Sequence, residues 1–290
     1  MPILETQNLT YTYSVGTPFE LDAITDVNIQ IEKGEMIGII GETGSGKSTL
    51  VQHLNGLLKP VSGRVLLHGK DIWENPKQIR AVRFQVGLVF QYPEHQLFEE
   101  TVYKDIAFGP KNMGLEEAEI KQRVEEAADF AGLSKKLLKK SPFQLSGGEK
   151  RRAAIAGVVA MRPEILILDE PTAGLDPRGR DDILDRIVRY QREQGQTVLL
   201  VSHSMEDIAR VAQRVLVIHK GKIAQFAPTK DVFSQGKALY DMGLQVPQVT
   251  RICTKLRERG IPLPESIYTL EQAADALSAL LREKEGKRLD

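Results

Sequence analysis

Met36-Ile37-Gly38-Ile39-Ile40 runs directly into Gly41-Glu42-Thr43-Gly44-Ser45-Gly46-Lys47-Ser48, and this stretch decides the fold. The first five residues read as a continuous apolar strand, buried on both faces. The next eight fit G-x-x-x-x-G-K-[ST], followed by a helical pattern. Glycines at these places let backbone N–H groups converge on phosphate oxygens, and the helix that follows adds its positive N-terminal end. Lys47 then supplies a point charge for the β- and γ-phosphates of a nucleotide, and Ser48 a hydroxyl for Mg²⁺. A glycine-rich turn that binds nothing would lack the strand before and the helix after.

Working outward, Ile165-Leu166-Ile167-Leu168 is a second buried-type strand, ending in Asp169-Glu170. Asp169 at its carboxyl end suits support of Mg²⁺ through water. Glu170 stands where a carboxylate orients or deprotonates an attacking water. Taken alone, the pair is only a strand ending in an acidic turn at Pro171. A third signal is Leu145-Ser146-Gly147-Gly148-Glu149, with helix from Lys150 to Met161. Ser146 and Glu149 have capping-box spacing, so a plain helix cap accounts for them. Two adjacent glycines at a helix N-terminus also make a second anion site, for which one nucleotide in one chain has no evident need.

Composition agrees with a globular protein. The 290 residues suggest two domains, or one core with an appendage, at about 150 residues per domain. Lys plus Arg and Asp plus Glu are both 39, giving zero formal net charge and removing the global electrostatic reason to expect a nucleic-acid partner. The cluster Lys135, Lys136, Lys139 and Lys140 reads as a solvated helix face. One cysteine, Cys253, makes no intrachain disulfide and fits a reducing compartment. Neither a signal peptide nor an apolar stretch of membrane-spanning length is evident, so a cytoplasmic location is expected.

Short β-branched runs at Ile3–Leu9, Ile24–Ile31 and Val65–Leu67, separated by turn residues, predict an antiparallel layer. Val198–Val201 joins Met36–Ile40 and Ile165–Leu168 in a partly parallel sheet, and Val215–Ile218 with Ile223–Phe226 reads as a closing hairpin. Between these parts Ile120, Val124, Ala127 and Ala131 recur at helical spacing. From about Leu239 two amphipathic stripes follow, Val249-Ile252-Cys253-Leu256 and Leu270-Ala273-Ala274-Leu277-Leu281, the second capped by Thr269 with Gln272. Two such helices are not expected to bury both stripes alone, so they should dock on a partner's equivalent helices or back on this chain's own core.

The three ordered motifs together resemble the nucleotide-binding subunit of an ATP-binding cassette (ABC) transporter, over roughly residues 3–235. The resemblance implies an α/β P-loop (RecA-like) core with an antiparallel β subdomain, over residues 1–235, and a helical subdomain inserted at about 92–160. Residues 236–290 would be a helical C-terminal extension serving dimerisation. ATP and Mg²⁺ are the implied cofactors. Glu42, Thr43, Gly44, Ser45 and Thr49 would line the nucleotide with Gly41, Gly46, Lys47 and Ser48. Tyr13 resembles the aromatic that stacks on adenine, with Tyr11 as a competitor. Gln91 resembles the glutamine that senses Mg²⁺ and faces the membrane subunit. His203 resembles the switch histidine that contacts the γ-phosphate, and Asp176 the aspartate linking two sites. Ala173-Gly174 before Leu175-Asp176 departs from the commoner Ser-Ala, which leaves the detail of Asp176 open. In this family ATP lies between two head-to-tail subunits, so Ser146, Gly147 and Gly148 would serve the partner's nucleotide.

A narrower resemblance lies in Phe90-Gln91-Tyr92-Pro93-Glu94-His95-Gln96-Leu97-Phe98 and Ile106-Ala107-Phe108-Gly109-Pro110. These are similar to the ATPases of energy-coupling factor importers of vitamins and metal ions, and the Tyr-Pro-Glu-His variant to the second of their two ATPase types. The implied partners are a second ATPase subunit (a heterodimer, with a homodimer as the alternative), a transmembrane coupling subunit and a substrate-binding membrane subunit. The implied place is the cytoplasmic face of the cell membrane, held peripherally. The competing readings are another ABC importer or exporter ATPase, or an ABC protein acting on nucleic acid or the ribosome. Members of the last kind usually carry long coiled coils, zinc motifs or two cassettes, which this chain lacks.

Overall fold

A computed structural model describes residues 2–286. Its strands are β1 (Leu4–Tyr13), β2 (Leu21–Ile31), β3 (Met36–Ile40), β4 (Ser62–Leu67), β5 (Lys70–Asp71), β6 (Val86–Val89), β7 (Ile165–Asp169), β8 (Thr197–Val201), β9 (Arg214–His219) and β10 (Lys222–Pro228). The helices are α1 (Lys47–Leu54), α2 (Ile79–Gln85), α3 (Val102–Asn112), α4 (Glu117–Phe130), α5 (Gly147–Val159), α6 (Pro177–Gln194) and α7 (Met205–Val211). They continue with α8 (Thr229–Ser234), α9 (Gly236–Asp241), α10 (Gln248–Glu258) and α11 (Leu270–Gly286).

Two sheets form. One is antiparallel, in the order β2-β1-β4-β5; the other has six strands in the order β10-β9-β3-β8-β7-β6. Within the second, β3 lies parallel to β8 and β9, and β7 parallel to β6 and β8, while β9 and β10 make the closing hairpin. The continuous apolar runs follow from burial on both faces. Ile37 and Ile39 of β3 pack with α1 and the antiparallel sheet, among Leu50, Leu54, Leu4 and Ile24. Met36 and Ile40 face the opposite core, built with Ile106, Val124, Ala156 and Ile208 from the helices.

The expected antiparallel layer, parallel strands, hairpin and helix around Ile120–Ala131 are all present. Strand β6 has no counterpart in the sequence reading: its four residues follow α2 with no turn signal, yet they place Gln91 at the sheet's carboxyl edge. Helix α5 starts at Gly147 rather than Lys150, because the Ser146 cap makes both glycines helical, and ends at Val159 before Pro163.

The tail covers its stripes only in part, and not with the two helices alone. Val249, Cys253 and Ala273 bury against Leu263 and Ile267 from the segment between α10 and α11, giving a third small core. Leu239, Leu244 and Val246 belong instead to the large helical core, so the packing changes from one cluster to the other between Val246 and Val249. Ile252, Leu270 and Leu281 stay exposed. The tail meets the body through the Gln248 backbone N–H, which donates to Glu206 at 3.2 Å, and through a Phe233–Tyr268 ring contact.

Candidate active site

The phosphate loop joins β3 to α1, and its shape depends on glycine at two tight places. Gly46 has φ 106°, and a Cβ there would lie 2.5 Å from the Ala23 carbonyl oxygen. A Cβ on Gly41 would lie 2.4 Å from the Ile218 carbonyl oxygen, so β9 closes against the loop. Ser45 is buried with an unpartnered hydroxyl. The Lys47 ammonium, itself buried, donates to the carbonyls of Gly41 at 2.7 Å and Glu42 at 2.9 Å. Burial pulls its pKa below the usual lysine value, opposed by the charges of Glu170 and Asp169.

Strand β7 brings Asp169 and Glu170 to the same edge. Ser48 Oγ donates to Asp169 Oδ2 at 3.1 Å. Burial raises the Asp169 carboxyl above the ordinary value, against the Ser48 hydrogen bond and the charges of Lys47 and His203. Glu170 leaves the strand with φ 52°, a left-handed turn that ends the run of β7. Its backbone N–H donates to Val201 of β8 at 3.0 Å. The carboxyl is pushed up to about 7, chiefly by burial and next by the Asp169 charge. Its buried Oε1 has no hydrogen-bond partner and stands 3.6 Å from His203 Nε2. Burial and the Lys47 charge lower the His203 pKa, opposed by the Asp169 charge. A carboxyl raised to about 7, with one buried oxygen lacking a hydrogen-bond partner and lying beside a phosphate cradle, is chemically suited to take a proton from water.

The remaining expected residues sit at different distances from this centre. The Tyr13 hydroxyl is 3.2 Å from Thr49 Oγ1 at the start of α1, and its ring is 37% exposed. Tyr11 turns edge-on to Tyr13 and His53, with centroid separations of 4.9 and 4.7 Å, and packs into the core. Tyr13 is therefore the more exposed of the two rings. Glu42, Thr43 and Gly44 are exposed on the loop. Gln91 is also exposed, and among the described residues no hydrogen bond joins it to Ser48 or Asp169.

Ser146 makes the full capping box with Glu149: its Oγ accepts from the Glu149 N–H at 3.3 Å, and Glu149 accepts from the Ser146 N–H at 2.9 Å. Open space surrounds Gly147, and only the Leu175 side chain approaches Gly148. Asp176 caps α6, accepting from the Gly179 N–H at 2.7 Å, and is otherwise exposed. No hydrogen bond among the described residues links Ser146, Gly147, Gly148 or Asp176 to this chain's own phosphate loop.

Sequence reading missed a neighbour of the loop. Gly243, with φ 71°, brings the backbone so close to Glu42 that a Cβ would lie 1.7 Å from its Oε1. Residues Gly243–Val246 and His203 line one cleft of about 490 Å³ with Gly41, Glu42 and Thr43. The only local sign is the Met242-Gly243-Leu244 turn after α9, which carries no hint of what it faces.

Fold and loop together define a P-loop ATPase. The family pattern described as "ABC transporter" matches residues 24–173. The energy-coupling factor transporter ATP-binding protein EcfA2 of Caldanaerobacter subterraneus subsp. tengcongensis is 52% identical over 282 residues, covering 97% of this chain and 98% of that protein. The protein of the same name from Clostridium tetani is 54% identical over 282 residues, with the same coverage of 97% and 98%. Among solved structures, cbiO1 of Clostridium perfringens, part of the ABC transporter complex cbiONQ, superposes with TM-score 0.74 at 40% identity, covering 87% of this chain and 99% of that one. The ATP-binding cassette MJ0796, in a dimer bound to ADP and Pi, gives 0.71 at 28% identity, covering 78% and 98%. The chain belongs to the ABC transporter family, in the branch whose members are named energy-coupling factor transporter ATP-binding proteins.

Proposed function

We propose that this chain is the ATP-hydrolysing subunit of an energy-coupling factor importer, energising uptake of vitamins or metal ions through separate membrane subunits. The observation that carries the reading is the Glu170 carboxyl, raised to about 7 with its Oε1 lacking a hydrogen-bond partner, beside Lys47 and the Ser48–Asp169 pair. Glu170 places the attacking water and takes its proton, and His203 contacts the γ-phosphate. Lys47 lends its charge to the β- and γ-phosphates, Tyr13 stacks on adenine, and the backbone of Gly41–Ser48 with Thr49 cradles the phosphates.

The donor set fits Mg²⁺. Ser48 and Asp169 offer oxygen atoms 3.1 Å apart, suited to a hard cation that keeps several waters, and Gln91 would add a third oxygen. When bound, Mg²⁺ would neutralise charge on the β- and γ-phosphate oxygens.

Ser146, Gly147 and Gly148 serve the ATP of a second ATPase subunit packed head to tail, and Asp176 links the two sites. Among the described residues no hydrogen bond ties them to this chain's own phosphate loop, which supports that assignment. The second subunit is the other ATPase type, making a heterodimer. The ATPase domain spans 1–235 with a helical subdomain at about 92–160, and 236–290 is an extension that helps hold the pair; residues 1 and 287–290 of these spans lie outside the described residues. Among the described residues no helix is long and apolar enough to cross a membrane, so attachment runs through a transmembrane coupling subunit and a substrate-binding subunit, at the cytoplasmic face. Affinity purification of the tagged chain from membranes tests this: a second ATPase and two kinds of integral membrane subunit should co-purify. Recovery of the chain without membrane proteins would overturn it.

A further inference from the structure

Arg151 of α5 is 4% exposed, and its guanidinium is divided between two loops. Nε donates to Glu94 Oε2 at 3.2 Å and Nη2 to Glu94 Oε1 at 3.0 Å, a two-pronged contact of the kind arginine makes best. Nη1 donates to the carbonyl of Ala173. Burial alone would raise the Glu94 carboxyl, but the Arg151 guanidinium holds it below the ordinary value.

The positions of the two loops give this contact its meaning. Glu94 lies in the single tight turn Pro93–Gln96, three residues past Gln91 and entered through Tyr92 at φ 57°. Asp105 of α3 accepts the N–H groups of Phe98 at 3.1 Å and Glu99 at 3.3 Å, so the far end of the segment is tied to the helical section too. Tyr92 and Phe98 point outward, exposed at 50% and 60%. Ala173 lies between Glu170 and Asp176, in the turn that leaves β7. Arg151 itself is in the second turn of the helix whose N-terminus carries Ser146.

We propose that Arg151 is a positioning residue, coupling displacement of the outward-facing Pro93–Gln96 turn both to the Ser146 helix end and to the Ala173–Asp176 turn. A push on the exposed face moves Glu94, the two-pronged contact carries α5 with it, and the Ala173 carbonyl follows through the third N–H. This rests on the transport reading above, in which a membrane subunit supplies the push.

The test compares ATP hydrolysis by the isolated ATPase pair with hydrolysis by the complete membrane complex, and uses the ratio as readout. Wild type, Glu94→Gln, Arg151→Lys and the double variant are measured, with ATP affinity and thermal unfolding for each. The wild-type ratio should differ clearly from one. Each single variant should bind ATP normally and shrink that difference about ten-fold, with no further loss in the double variant, because one contact is being broken. Glu94→Gln keeps size and half-buried packing, so it reports even if Arg151→Lys fails to fold. Unchanged ratios, or losses that multiply in the double variant, would reduce the contact to a structural one and overturn the proposal. A wild-type ratio of one would overturn the transport reading, and the relay with it.

Discussion

Ser48 and Asp169 stand 121 positions apart in the chain, yet their side chains meet at 3.1 Å. The contact exists because β3 and β7 both flank β8 and point the same way, so their carboxyl ends share one edge. Ligands bind at such an edge in open parallel sheets, where strand ends and helix starts converge.

The same edge makes Glu170 costly. Its carboxyl is raised from 4.5 to about 7, so between those values the folded chain keeps a proton that the unfolded chain has released. Stability contributed by this group is therefore full below about pH 4.5 and lost as pH rises through 7. In the nucleotide-free chain Glu170→Gln should be the more stable form at about pH 8, by on the order of 3 kcal/mol at most, with little difference at about pH 4.5. Denaturant unfolding at the two pH values checks this, and an equal difference at both would contradict the burial effect.

Ser146→Arg places bulk and charge where a second subunit's γ-phosphate would dock. ATP should still bind at this chain's Lys47, while nucleotide-driven closure of the pair fails. Crosslinking across the site reads closure, and undiminished crosslinking with ATP would leave Leu145–Glu149 a helix cap and nothing more.

Gly243→Ala forces a left-handed φ on a residue with a side chain and pushes the Glu42 carboxylate aside, next to the phosphate loop. The backbone penalty is about 1–2 kcal/mol. Thermal unfolding should fall accordingly, and ATP should bind several-fold more weakly in calorimetric titration. Wild-type affinity would show that the turn after α9 does not support the loop.

The tail leaves Ile252 and Leu281 on its outside. Replacing both by aspartate should change the stability of the single chain little, about 0.5 kcal/mol or less per site, as for surface positions. If these residues meet the second subunit, the nucleotide-free pair should dissociate at concentrations where wild type stays associated. Sedimentation would show this, and an unaffected pair would remove the tail from the interface.

Much of this was legible because the chemistry is local in sequence. Gly41–Ser48, Ile165–Glu170 and the Ser146–Glu149 cap each carry their geometry within a few residues, and each forms the strand end, loop or helix cap that its spacing predicts. What escaped was long-range. Strand β6 is only four residues long and gains its identity from pairing with β7. Glu94, Arg151 and Ala173 lie far apart along the chain, and no periodicity marks a contact between them. The partial cover of the tail escaped for a related reason: Leu263 and Ile267 lie in a proline-bearing connection that reads as a loop.

The central claim is that Glu170 is the base for ATP hydrolysis in a site completed by a second subunit. It is tested most directly by measuring steady-state hydrolysis in the assembled pair, with the partner's own site disabled, for wild type and Glu170→Gln. Losing one well-placed base costs about 10²- to 10⁴-fold, so turnover should collapse while ATP affinity stays at the wild-type value. Near-normal turnover in Glu170→Gln would contradict the account.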